Sequence, residues 1–155
     1  MNSGDIRQTL LETLRQVILR ILETESWKQV TCDPIQRLPA FQLTQEVCGI
    51  VQIHGVRRGI VAVTASRRTT AAIISAVTGS EVREMIDEDI LDGIAELANM
   101  VCGNMKTYAN IGGITLTPPM AILGGSFVAQ WKTEHPVHQL TFRGRDHTLI
   151  VLASV

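Results

Sequence analysis

The sequence predicts a single α/β chain of the α+β type, a largely antiparallel sheet of about six strands with three helices. Three observations carry this. Two pairs of segments rich in β-branched residues meet at short glycine-containing turns, the pattern of hairpins. Three other segments repeat apolar residues at three- and four-residue spacing, the period of a helix with one buried face. The chain has 155 residues, 45% of them hydrophobic, which is enough for one core and not for two. Hairpins outnumber helical crossovers, so neighbouring strands are expected to run antiparallel. The whole of 1–155 reads as one domain.

The first helix is expected from Ser3 to about Glu25. Ser3 is its candidate cap, Asp5 suits the first-turn dipole, and Ile6, Leu10, Leu14, Val17, Ile18, Ile21 and Leu22 make its apolar face. Trp27 to Cys32 reads as a short strand, and Asp33 to Pro39, with two prolines, as a connecting loop. Glu46–His54 and Arg57–Thr64 form the first hairpin, turning at Gly55. Ser66 caps a second helix carrying Ala71, Ile74, Ala76 and Val77, and Gly79 stands where a left-handed C-terminal cap belongs. The third helix starts near Asp87, whose acidic neighbours Glu88 and Asp89 complement the dipole, and runs to about Tyr108. A strand follows from Met120 to about Trp131, interrupted at Gly124-Gly125. His138–Arg143 and Thr148–Ala153 close the chain as a hairpin across Gly144–His147.

Composition excludes several functions. Fourteen basic against fifteen acidic residues give a net charge of −1, so no global field attracts nucleic acid or an anionic membrane surface. High hydrophobicity with low net charge excludes disorder. No apolar run reaches the roughly 18–20 residues of a membrane helix. Asp5, Arg7, Glu12 and Arg15 interrupt what would have to be the apolar stretch of a signal peptide. Cys32, Cys48 and Cys102 are odd in number and far apart, so neither disulfides nor a metal motif is expected, and Cys48 and Cys102 read as core residues of a protein in a reducing cytoplasm.

The third helix carries the one patterned polar stripe. With Asp92 at zero on a 100° wheel, Glu96 falls near about +40°, Asn99 near about −20°, Gly103 near about +20°, and Lys106 and Glu88 near about −40°. Ile90, Ile94, Leu97, Ala98, Val101 and Met105 fill the opposite arc, which packs on the sheet. A solvated face accounts for such a stripe on most surface helices. Two features point beyond it here. Glu88, Asp92 and Glu96 are like charges four residues apart, each pair costing roughly 0.2–0.5 kcal/mol. Gly103 sits in the helix interior at a cost of about 1 kcal/mol relative to alanine. Acid and amide groups beside bare backbone suit the close approach of a partner bearing a cation.

The segment Asp89 to Lys106 (DILDGIAELANMVCGNMK) resembles the signature of the CheC/CheX/FliY family of chemotaxis phosphatases. That pattern is an acidic or Ser residue, three residues, Glu, two residues, Asn, with a small residue one turn on. Asp92, Glu96, Asn99 and Gly103 match it position by position. The order and spacing of the first helix, the Gly49–Thr64 hairpin, the helix from Ser66 to Gly79 and the strand start at Pro119 are similar as well. In the first helix the corresponding place reads Glu12-Thr13-Leu14-Arg15, with Arg where Asn would stand, so the chain is similar to the one-site CheX branch.

The resemblance implies hydrolysis of the aspartyl phosphate on a CheY-type receiver domain. Glu96 and Asn99 would be the catalytic pair, with Asn99 orienting the attacking water and Glu96 pairing with the receiver's lysine. Asp92, Gly103 and Lys106 would contact the partner. It implies no cofactor or metal ligand in this chain, Mg²⁺ in the receiver, and a homodimer joined through sheet edges. The apolar strand Thr148–Val155 is the expected candidate for covering at such an edge. A non-catalytic module that docks on a receiver or flagellar-switch component, and a scaffold with an ordinary solvated helix, are the competing readings.

Other constellations are weaker. His135-Pro136-Val137-His138 would put its rings on opposite faces of a strand and does not make a metal site. His54 and His147 read as strand-end and turn residues. No G-x-S-x-G and no phosphate-binding loop occurs. Arg57-Arg58 and Arg67-Arg68 read as solvated turn residues.

Overall fold

The computed structural model describes residues 2–23 and 27–155. The first helix, α1, spans Ser3–Leu22; its expected last turn toward Glu25 lies outside the described residues. Its cap is Asn2, one residue earlier than expected. Asn2 Oδ1 accepts from the Asp5 amide at 2.9 Å, and Asp5 accepts back from the Asn2 amide at 3.2 Å. Ser3 instead accepts from Arg57, whose guanidinium donates to Ser3 Oγ and to its carbonyl. Arg57 is only 9% exposed, so it is a buried anchor for the start of α1 and not a solvated turn residue. Its neighbour Arg58 is exposed and lies 3.6 Å from Glu134.

The sheet is antiparallel throughout. Strands β1 (Thr31–Cys32), β2 (Gln36–Leu38), β4 (Val47–Gly55), β5 (Gly59–Ala65), β6 (Ile114–Leu116), β7 (Met120–Leu123), β9 (Val137–Arg143) and β10 (Thr148–Ser154) form it. The order across it is β1-β9-β10-β5-β4-β6, with β2 beside β1 on β9 and β7 beside β6 on β4. Strands β3 (Phe41–Leu43) and β8 (Ala129–Trp131) make a separate ribbon. The expected Asp33–Pro39 loop therefore contains β2, and the expected Met120–Trp131 strand divides at its glycines between the sheet and the ribbon. Strand β10 lies between β9 and β5, so its apolar residues are covered within the chain and do not form an edge that a dimer would have to hide.

Period-two alternation puts a core on each side of the sheet. Val47, Val51, Val61, Val63, Phe142 and Val151 face the helices. Cys48, Ile50, Ala62 and Leu152 face the ribbon and pack with Phe41 and Leu43. Burial pushes the Cys48 thiol up to about 11 and the Cys102 thiol up to about 12, so both are protonated core residues.

The second helix, α2, spans Arg67–Thr78. Ser66 Oγ accepts from the Thr69 amide at 3.1 Å, and Gly79 closes it at φ 75°, in the left-handed region. Its buried residues are Thr69, Thr70, Ala71 and Ile73; Ala76 and Val77 are exposed. A 3-10 turn at Val82–Glu84 leads into α3, Asp87–Ala109, which lies against β4 and between the other two helices.

Candidate functional site on the long helix

Close packing positions α3. A Cβ on Gly49 of β4 would stand 2.5 Å from the carbonyl oxygen of Ile94, so strand and helix meet through bare backbone. Ile90, Ile94, Val101 and Met105 are fully buried beneath, as the wheel predicts. At the N-terminus, Asp89 accepts from the Ile86 amide at 2.9 Å. Asp87 pairs with Arg67, and the Arg67 amide donates to Glu46 Oε1 at 2.6 Å. Arg67 is thus a tie between β4, α2 and α3, and its neighbour Arg68 donates to the Asp146 carbonyl at 3.2 Å.

This packing leaves Glu88, Asp92, Glu96, Asn99 and Lys106 exposed on one side of α3, with Gly103 among them and partly exposed. An ideal Cβ on Gly103 would meet nothing within 4 Å, so no packing inside this chain explains the glycine. Among the described residues, the side chains of Asp92, Glu96, Asn99 and Lys106 take part in no hydrogen bond or ion pair. They are presented to whatever meets this face. The matching position on α1 differs: Arg15 donates to both carboxylate oxygens of Glu12, holding that carboxyl below its usual range. The acid that would serve a second site is already paired with Arg15.

Three contributions are not legible as site features in the sequence. Gly93 lies beside Asp92, and a Cβ there would stand 2.1 Å from Ile74 Cδ1, so this glycine lets α2 close onto α3. Glu46 acts only through the fold, from the start of β4. Val77, 56% exposed, shares a recess with Glu96, and Ile86, 59% exposed, stands at the N-terminus of α3. A glycine inside a helix is the one signal that was available for Gly93.

His135 and His138 are both half-buried, with Pro136 between them. Among the described residues no group of three or more His, Cys, Asp or Glu side chains is placed to hold a metal ion, and no helix is long and apolar enough to cross a membrane.

An antiparallel sheet under a long helix that offers Asp92, Glu96 and Asn99 on one open face defines a CheC-like α+β domain. The family described as chemotaxis phosphatase CheX matches residues 47–143, which include every residue of the stripe. The chain belongs to that CheX family. Solved structures agree on the fold. A chemotaxis protein CheX from Desulfovibrio desulfuricans is 19% identical, with TM-score 0.75 over 96% of this chain and 97% of that one. CheX from Vibrio vulnificus is 18% identical, with TM-score 0.77 over 97% and 98%. The CheX of a CheX–CheY–BeF₃–Mg²⁺ complex from Borrelia burgdorferi is 20% identical, with TM-score 0.71 over 95% of each chain. No curated protein matches the chain.

Proposed function

We propose that this chain hydrolyses the aspartyl phosphate of a CheY-type receiver, with Asn99 orienting the attacking water and Glu96 pairing with the receiver's active-site lysine. The observation that carries this reading is the exposed, unengaged state of Glu96 and Asn99 on one face of α3. Membership of a family described as chemotaxis phosphatases supports it. So does the Borrelia burgdorferi complex, in which a CheX relative is bound to CheY with BeF₃ and Mg²⁺.

The chemistry suits these side chains. An acyl phosphate needs a water held in line and its equatorial oxygens neutralised, and no covalent enzyme intermediate is required. A carboxamide has both donor and acceptor on a short stem, so Asn99 can hold a water by its hydrogens and its oxygen. An ionised Glu96 accepts from an ammonium and fixes the register of docking. Asp92 and Lys106 flank the pair as partner contacts, and Gly103 leaves room for the receiver's backbone. Mg²⁺ belongs to the receiver, and this chain supplies no ligand to it.

On this reading the chain works in the cytoplasm with its receiver. A second copy of the chain is its other expected partner, and the β6–β7 edge, open on its outer side among the described residues and carrying Met120 at 48% exposure, is the edge proposed for that contact. A monomeric mass in solution would remove that part.

The decisive experiment follows the decay of phosphorylated CheY-type receivers from the source organism with Mg²⁺ present. The chain is expected to accelerate decay, Asn99→Ala to lose roughly 10²-fold or more in turnover while still binding, and Glu96→Ala to weaken binding. Binding without acceleration would make the chain a docking module. No effect on any receiver would leave the stripe a solvated face.

A further inference from the structure

We infer that the groove between α2, the 3-10 turn and α3 is a second docking surface for the receiver, selecting receivers that carry lysine or arginine around an apolar contact. The inference rests on the reading that a receiver is the substrate, and it extends the contact well beyond the Glu96–Asn99 pair.

The groove is open and encloses about 520 Å³. Ile74 and Met85 give it apolar walls, and Gly93 keeps its floor low. Five carboxylates surround it: Glu81, Glu84, Asp89, Asp92 and Glu96. Only Asp89 is engaged, at the helix cap, and none of the five is in an ion pair among the described residues. Arg67 is committed to Asp87, and Arg83 is not part of the lining. No three of these acids converge on a metal position. The negative field is therefore spread along the groove, a form that suits several side-chain cations and not one ion. It is also local, since the chain as a whole carries only −1.

Apolar surface accompanies the charge. Val77 on α2 is more than half exposed and lines an apolar recess, with Leu97 and Met100, that shares Ile74, Gly93 and Glu96 with the groove. An apolar contact set among charges is the arrangement of a protein interface, where the apolar part gives affinity and the charges give register and speed of encounter. The groove is continuous with the proposed site, because Glu96 lines it. A receiver whose lysine meets Glu96 would lay its adjoining surface along this groove.

The test measures the affinity of each CheY-type receiver of the source organism, loaded with beryllofluoride and Mg²⁺, and the steady-state kinetics of phosphoreceiver decay. The Glu81→Lys/Glu84→Lys double variant is expected to raise Kd and KM roughly tenfold or more, with turnover at saturating receiver retained. Val77→Asp is expected to raise Kd as well, and the parent's affinity to weaken as salt is added. All three residues are exposed, and an unchanged circular dichroism spectrum and melting curve identify folded variants. If both variants bind as tightly as the parent while Asn99→Ala still abolishes turnover, the groove is solvated surface and the catalytic reading stands without it. If the parent neither binds nor dephosphorylates any receiver, both readings fall.

Discussion

Gly49 and Ile94 approach so closely that a Cβ on the glycine would stand 2.5 Å from the carbonyl oxygen of Ile94. The obstacle is backbone, which cannot rotate away. Gly49→Ala must therefore lift α3 or bend β4, and a loss of about 1–3 kcal/mol is expected, as for other overpacked positions. At Gly93 the obstacle is the Ile74 side chain, with Cδ1 at 2.1 Å and Cγ1 at 2.4 Å, and a side chain can change rotamer where a backbone carbonyl cannot. Gly93→Ala is expected to cost less than Gly49→Ala. Urea denaturation of the two variants measures the order, and a reversed order would mean that the helix is held by other contacts.

Three histidines give the fold a dependence on pH. His147 has Nδ1 3.0 Å from Thr69 Oγ1 and its ring stacked on Trp27 at 5.7 Å, so it ties the last hairpin to α2. Burial lowers its pKa first and the Arg68 charge next, with Asp146 opposing. His135 and His138 are also lowered, chiefly by burial, with Arg57 and Arg7 adding to the first and Arg7 to the second. The folded state thus favours the neutral rings. As pH falls below about 6.5 the unfolded chain takes up protons before the folded one does, so stability is flat above that value and is lost below it, down to the lowered folded pKa values. The urea midpoint is expected to hold at neutral pH and to fall as the pH drops below about 6.5. His147→Gln is expected to make that fall shallower. A midpoint independent of pH across this range would refute the assignment.

The parts of the fold read correctly from sequence are those whose signal is local and repeated. Ser66 and Gly79 bound α2 because a hydroxyl cap and a left-handed glycine act within one turn. The arc from Ile90 to Met105 was legible because about four turns of helix repeat it. Strands of two or three residues, such as β1, β2 and β8, contain no period to detect and form only because β9 or β3 supplies a partner. The helix cap passes from Ser3 to Asn2 because Arg57, far along the chain, engages Ser3. On α2 the apolar residues Ala76 and Val77 are exposed, while Thr69 and Thr70 are buried, the first with its hydroxyl paired to His147 and the second with its hydroxyl donating to the Ser66 carbonyl. The stripe of α3 was legible as spacing. The groove beside it was not, because it forms only where tertiary packing, such as the close approach of Ile74 to Gly93, brings α2 against α3.

Gly103 separates stability from function most directly. It lies about one turn beyond Asn99 on the same side of α3, and beyond its own turns of helix a methyl group there would meet none of the described atoms within 4 Å. Gly103→Ala removes the entropic cost of a helix-interior glycine and is expected to stabilise the fold by about 0.5–1 kcal/mol. If the receiver's backbone approaches that bare surface, the same methyl group displaces Asn99 from the position in which it is proposed to orient the attacking water. The variant is then expected to melt higher and to dephosphorylate the receiver roughly tenfold or more slowly. A melting curve and a decay assay on one preparation read both effects. A gain in stability with unchanged activity would show that the glycine lies outside the interface, and would move the receiver's contact toward the Glu96 end of the helix.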